Sequence, residues 1–117
     1  VLDEVARCGG IRFPRTPVIV AENDAYVFHG DEIYEVVADV PEGDLDAFRT
    51  GSGLGAFGPG FPKYWAQNYW TQGAAAGLLA GGGGYASVGE TTRLPARWVV
   101  VRDNGDGTRR VFVRVAC

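Results

Sequence analysis

The clearest alternation of apolar and polar positions lies at Ile33–Val40. Tyr34, Val36, Ala38 and Val40 fall on one face, and Ile33, Glu35, Val37 and Asp39 on the other. A period of two predicts a strand, with the first set buried and the second partly wet. After Pro41-Glu42-Gly43-Asp44 the period changes. Leu45 and Phe48 stand three apart, and Gly51 ends the run. That spacing predicts a short amphipathic helix with acids near its N-terminus, where the helix dipole favours them. Leu2, Val5 and Ala6 predict a second short helix, stopped by Gly9-Gly10. Pro14 and Pro17 enforce extended chain before a strand at Val18-Ile19-Val20. Glu22-Asn23-Asp24 has turn chemistry, so Ala25–His29 is expected to be the return strand, followed by a turn at Gly30-Asp31. Arg97–Arg102 and Arg109–Ala116, rich in β-branched residues, flank Asp103–Thr108 and predict a hairpin.

Between these elements the pattern fades. Gly51–Pro62 reads as an ordered loop anchored by Leu54, Phe57 and Phe61. Lys63–Thr71 could make one or two helical turns, with Trp65 and Tyr69 four apart. Gly73–Gly89, with Gly81–Gly84 consecutive, is expected to be a mobile loop, with a brief helix at Ala74–Ala80. The reading is an α+β domain spanning residues 1–117. Its sheet is small and mostly antiparallel, with one or two short helices and a C-terminal hairpin.

The two cysteines, Cys8 and Cys117, change that picture. They have no Cys-x-x-Cys spacing and no histidine cluster, so zinc and dithiol redox chemistry are not expected. A disulfide between them would tie the two ends of the chain and close a loop of roughly 100 residues. Such bonds persist in oxidising compartments, so the protein is expected to be secreted or in the cell envelope. The chain shows no signal peptide, and any export signal is expected to have been removed or to lie outside it. No apolar run is long enough to cross a membrane as a helix.

The net charge of −3 is unevenly spread. Residues 1–60 hold eleven acids and four bases, whereas residues 61–117 hold three acids and seven bases. Pairing of the halves within one fold accounts for this more simply than a polyanionic partner. Arg110 and Arg114, with Arg97 or Arg102, could form a basic stripe around Phe112, as in nucleic-acid platforms. The alternative is cross-strand pairing with Glu35 and Asp39, which have the same alternate spacing. The acidic balance favours pairing, and no nucleic acid is expected.

Catalytic constellations are sparse. His29 is the only histidine, and with Glu35 and an arginine it could run acid–base chemistry of the kind small secreted nucleases use. Ser52 and Ser87 lie outside any Gly-x-Ser-x-Gly elbow. Asp103–Thr108 fails the calcium-loop pattern and suits a hairpin turn, and the glycine runs fail the phosphate-loop spacing. The chain is not expected to be an enzyme, to bind a metal or to need a cofactor. Tyr64, Trp65, Tyr69 and Trp70 cluster beside the glycine-rich stretch. Such aromatics either anchor a partner or plug a small core beneath a loop.

Ile11–Leu54 carries FPRTP, then YVFHGDEIYEVVADVP, then EGDLDAFRTGSGL, and the chain closes on RWVVVRDNGDGTRRVFVRV. This succession resembles small actinobacterial exported proteins and predicted lipoproteins, over about half the chain. Ten arginines against one lysine fit a GC-rich coding sequence of that kind. The resemblance implies the fold and no activity or site residue. The expectation is a monomeric, non-catalytic interaction module that meets a protein partner through Tyr64–Trp70. The alternatives are a small secreted hydrolase at His29 and Glu35, and an acidic inhibitor or immunity-type protein. The last would need the acids of residues 22–46 to form one exposed patch.

Overall fold

The computed structural model describes residues 1–26, 32–61, 77–78, 84–90 and 95–117. The chain order is helix α1 (Leu2–Arg7), strands β1 (Val18–Tyr26) and β2 (Glu32–Pro41), then a 3-10 turn (Glu42–Asp44) leading into helix α2 (Leu45–Gly51). Strands β3 (Gly58–Pro59), β4 (Tyr85–Glu90), β5 (Ala96–Asp103) and β6 (Thr108–Ala116) follow. Together these strands make one antiparallel sheet in the order β1-β2-β6-β5-β4-β3. With two short helices it is an α+β fold.

The helices predicted from Leu2, Val5 and Ala6 and from Leu45 and Phe48, the central strand and the final hairpin form where the periodicity placed them, while the helical turns expected at Lys63–Thr71 and Ala74–Ala80 lie almost wholly outside the described residues. Two expectations fail. Glu22-Asn23-Asp24 does not turn: these residues oppose Val36, Glu35 and Tyr34 inside one continuous β1. Turn-forming side chains are a local preference, and ladder pairing with β2 along the strand overrides it. The glycine-rich region is also not loop throughout, because Tyr85–Glu90 pairs with Val101 and its neighbours on β5.

The sheet's first face carries the main core. Val36 and Ala38 of β2 lie level with Val113 and Val111 of β6 and with Val99 and Val101 of β5, and Val40 joins the same cluster. Val5 of α1, Phe48 of α2, Ile11 and Leu54 cover them. Phe13 stacks on Phe48 at 4.8 Å. α1 ends because Gly10 takes a left-handed φ of +67°, and the amide of Ile11 turns back to the Val5 carbonyl at 3.2 Å. Gly9 lies so close to Val115 that an added Cβ would stand 2.7 Å from its Cγ2. This close approach brings Cys8 to Cys117 just beyond β6, and the two are joined by a disulfide with Cα atoms 6.2 Å apart.

Arg97 lies on this same first face, level with Val115 and Glu90. It therefore does not join the basic stripe. Only 1 % of it is exposed, and it replaces an apolar core residue. Its Nη1 donates to the carbonyls of Gly9 (2.9 Å) and Ser52 (2.6 Å). Its Nη2 donates to the Gly53 carbonyl and to both oxygens of Glu90 at 3.0 and 3.1 Å. One guanidinium thus fastens the ends of both helices to β5 and β4. Planar geometry with five donors allows this, and a lysine could not match it.

Candidate functional site

The second face of the sheet gathers the unusual chemistry. Its middle row is apolar: Val37, Phe112 and Val100 lie side by side across β2, β6 and β5. One row on either side is charged. Toward the start of β1 and the end of β5, Asp39, Arg110 and Arg102 align, and Tyr85 completes the row on β4. On the opposite side Asn23, Glu35, Arg114 and Trp98 align.

The two rows differ in how their charges are met. Asp39 accepts two bonds from Arg110, Nε at 3.0 Å and Nη2 at 3.1 Å, and one from Asn104 Nδ2 at 3.0 Å. The Arg110 guanidinium, helped by Asn104, holds the Asp39 carboxyl below the usual range against the opposing effect of burial. Asp39 in turn raises the Arg110 pKa. Arg102 sits 5.4 Å from the Tyr85 ring centroid and donates to its hydroxyl at 3.3 Å. In the other row Glu35 is only 2 % exposed. Its Oε1 accepts from Asn23 Nδ2 at 3.0 Å, and its Oε2 is buried without a hydrogen bond. Directly opposite, the Arg114 guanidinium lies 5.8 Å from the Trp98 ring centroid.

Ile33, Glu35 and Val37 are all buried, so the face expected to be partly wet is covered. A strand pattern shows which residues share a face, but not what packs on it. The predicted pairing of Arg110 with Asp39 is present. For Glu35 the register match with Arg114 is present, while the hydrogen bond comes from Asn23.

Tyr64, Trp65, Tyr69 and Trp70 lie outside the described residues, as does His29. The chain on either side of the aromatic segment is described. Before it, Phe61 is exposed, and its ring lies 4.3 Å from that of Tyr85. After it, Leu78 packs on the cluster of Val37, Tyr85, Val100 and Phe112. Phe61 and Leu78 thus both lie against the second face of the sheet.

The other motifs serve structure. Ser52 Oγ accepts the Arg12 amide at 2.8 Å, and Ser87 Oγ donates to the Gly60 carbonyl at 2.7 Å. In the hairpin turn Asp103 accepts the Gly105 amide and Asp106 the Thr108 amide, with Gly105 and Gly107 at positive φ. Among the described residues no group of three acids, histidines or cysteines could hold a metal. No described helix is long and apolar enough to cross a membrane. Of the described acids of residues 22–46, Glu22, Asp24, Glu32 and Asp46 are exposed, and the others are buried or paired. Glu35 is buried, Asp39 is held by Arg110, Glu42 pairs with Arg109 at 2.7 Å and Asp44 with Arg15 at 2.7 Å.

Trp98 and Tyr85 are the residues of this face that sequence reasoning missed. Trp98 alternates with Val100 and Arg102 on β5. Its place beside Arg114 follows once the hairpin register is set by the turn. Tyr85 sat in a stretch dominated by glycine and gave no strand signal. No protein-family model, no curated protein and no solved structure matches the chain.

Proposed function

We propose that the chain is a non-catalytic interaction module that works outside the cytoplasm, with Tyr64, Trp65, Tyr69, Trp70 and the neighbouring Phe61 as its contact surface for a protein. The observation that supports this reading is that Phe61, which precedes the aromatic residues in the chain, and Leu78, which follows them, both pack on the second face of the sheet. Binding residues are commonly displayed by a loop held on a rigid scaffold, and tryptophan and tyrosine are the residues that most often dominate such contacts. The disulfide is compatible with an oxidising compartment. The resemblance to small exported and lipoprotein-like actinobacterial proteins would place the module at the envelope.

The test is capture from envelope and culture-fluid fractions of the source organism, followed by titration of the purified partner. Oxidised wild type is compared with Trp65→Ala/Trp70→Ala, both checked for folding. The proposal expects a partner bound by wild type and at least about 100-fold weaker in the variant, which is the loss of two central anchors. Equal binding by both, or no partner, refutes it.

One observation favours a second reading, a small hydrolase of nuclease type. Glu35 and Arg114 are opposite one another on one face, but both are buried, so a substrate would have to displace what covers them. Its mark would be nuclease activity in wild type that His29→Ala and Glu35→Gln each abolish. The inhibitor reading loses Glu35, which is buried, and Asp39, Glu42 and Asp44, which pair with arginines.

A further inference from the structure

β1 is an edge strand with an unusual exposed run. Val18, Ile19 and Val20 are consecutive and 68, 39 and 36 % exposed. A regular strand covered on both faces would not leave three successive aliphatics in water. The register supplies the reason: Ile19 opposes Ala38 and Ala21 opposes Val37, so Val20 is an extra residue in a bulge. A bulge twists the strand and re-aims side chains. Beyond it Glu22 and Asp24 are also exposed, and neither takes part in an ion pair among the described residues. Among the described strands β1 has a neighbour on one side only. Its outer backbone groups form the kind of edge that accepts another strand. A groove of about 420 Å³ opens where the chain runs into β1, its wall carrying Leu2, Phe13 and Pro17 together with Asp3, Arg12 and Arg15.

Charge decides what fits there. β1 reads VIVAENDAY and contains no base. Parallel pairing with a second copy would set Glu22 and Asp24 beside their own equivalents, which is destabilising. Antiparallel self-pairing would place them against aliphatics or chain without a base in β1 to neutralise them. We propose that the β1 edge accepts an extended segment of a different polypeptide, with aliphatic residues along Val18–Val20 and lysine or arginine opposite Glu22 and Asp24.

The probe is a synthetic peptide with lysine at alternate positions in its first half and valines in its second. A matched peptide carries glutamate in place of lysine. Amide resonances of the oxidised, isotope-labelled protein are followed during titration. The proposal expects shifts confined to residues 18–24 and their neighbours on β2. The lysine peptide should bind at least about tenfold more tightly than its glutamate match, with the gap narrowing in high salt. Glu22→Lys/Asp24→Lys should reverse that preference. If that variant misfolds, Glu22→Gln/Asp24→Asn replaces it and should abolish the preference. The proposal is overturned by equal affinity for the two peptides or by the absence of shifts in 18–24. It is equally overturned if those shifts grow with protein concentration alone, which would show a second copy on the edge.

Discussion

Replacing Arg97 by methionine keeps most of the aliphatic volume and removes the charge and all five donors. In the native protein that guanidinium holds the carbonyls of Gly9, Ser52 and Gly53 and both oxygens of Glu90. The variant leaves those carbonyls without this donor and takes from the Glu90 carboxylate its facing cation. Removing one partner of a buried ion pair typically costs about 3–5 kcal/mol. The three carbonyls could add about 1–3 kcal/mol each if they stayed dry. Gly53 lies at the exposed end of α2, so water would reach part of the gap, and the lower range applies. A loss of about 4 kcal/mol is a large part of the roughly 5–15 kcal/mol available to a domain of this size. It corresponds to a fall of about 15–20 °C in Tm. Urea unfolding of oxidised wild type, Arg97→Met, Glu90→Gln and the double variant measures this. Arg97→Met should be the most destabilised, and adding Glu90→Gln should recover about 1–2 kcal/mol because no carboxylate is then stranded. An Arg97→Met loss below about 1 kcal/mol would refute the reasoning, and so would strictly additive single losses.

Two further predictions concern the clasp and the charged row. Cys8→Ser/Cys117→Ser should lose about 4–5 kcal/mol in the chain-entropy account, for a bond that spans 109 residues of sequence. Urea midpoints against oxidised wild type check this, and a loss below about 1 kcal/mol would show that the sheet alone already holds the ends together. Asp39 has a lowered folded-state pKa, so its contribution is present above the ordinary carboxylate range and disappears as pH falls through the folded value. Asp39→Asn should therefore cost about 1 kcal/mol at neutral pH and show a flatter stability profile than wild type between about pH 5 and pH 2, read from urea midpoints. Parallel profiles would remove Asp39 from the acid response.

The strand at Ile33–Val40, the helix at Leu45–Gly51, the final hairpin and the Cys8–Cys117 pair were legible because each signal is local or has no competitor. Alternation sorts residues onto two faces, Leu45 and Phe48 mark a helical stripe, and two cysteines allow one bond. The same alternation placed Asp39 and Arg110 on a common face and made their pairing readable. The aromatics Tyr64, Trp65, Tyr69 and Trp70 stand out as composition, and they lie outside the described residues. Other features depended on distant partners. Asn23 reads as a turn residue until Glu35 across the ladder takes its amide. Tyr85–Glu90 reads as loop until β5 supplies its hydrogen bonds. Arg97 looks like one more surface arginine until the sheet's pleat turns it toward the ends of both helices.

Sequence by itself therefore determined the elements near the centre of the sheet, the two faces of each strand and the disulfide. Tertiary structure decided that both faces are covered, that β1 forms an exposed edge with a bulge at Val20, and that a single buried arginine joins α1, α2 and β4. The reason is physical. Periodicity records how side chains are distributed around one segment, whereas burial, register and side-chain pairing depend on groups far apart in the chain, as Arg97 and Gly9 are, 88 positions from one another.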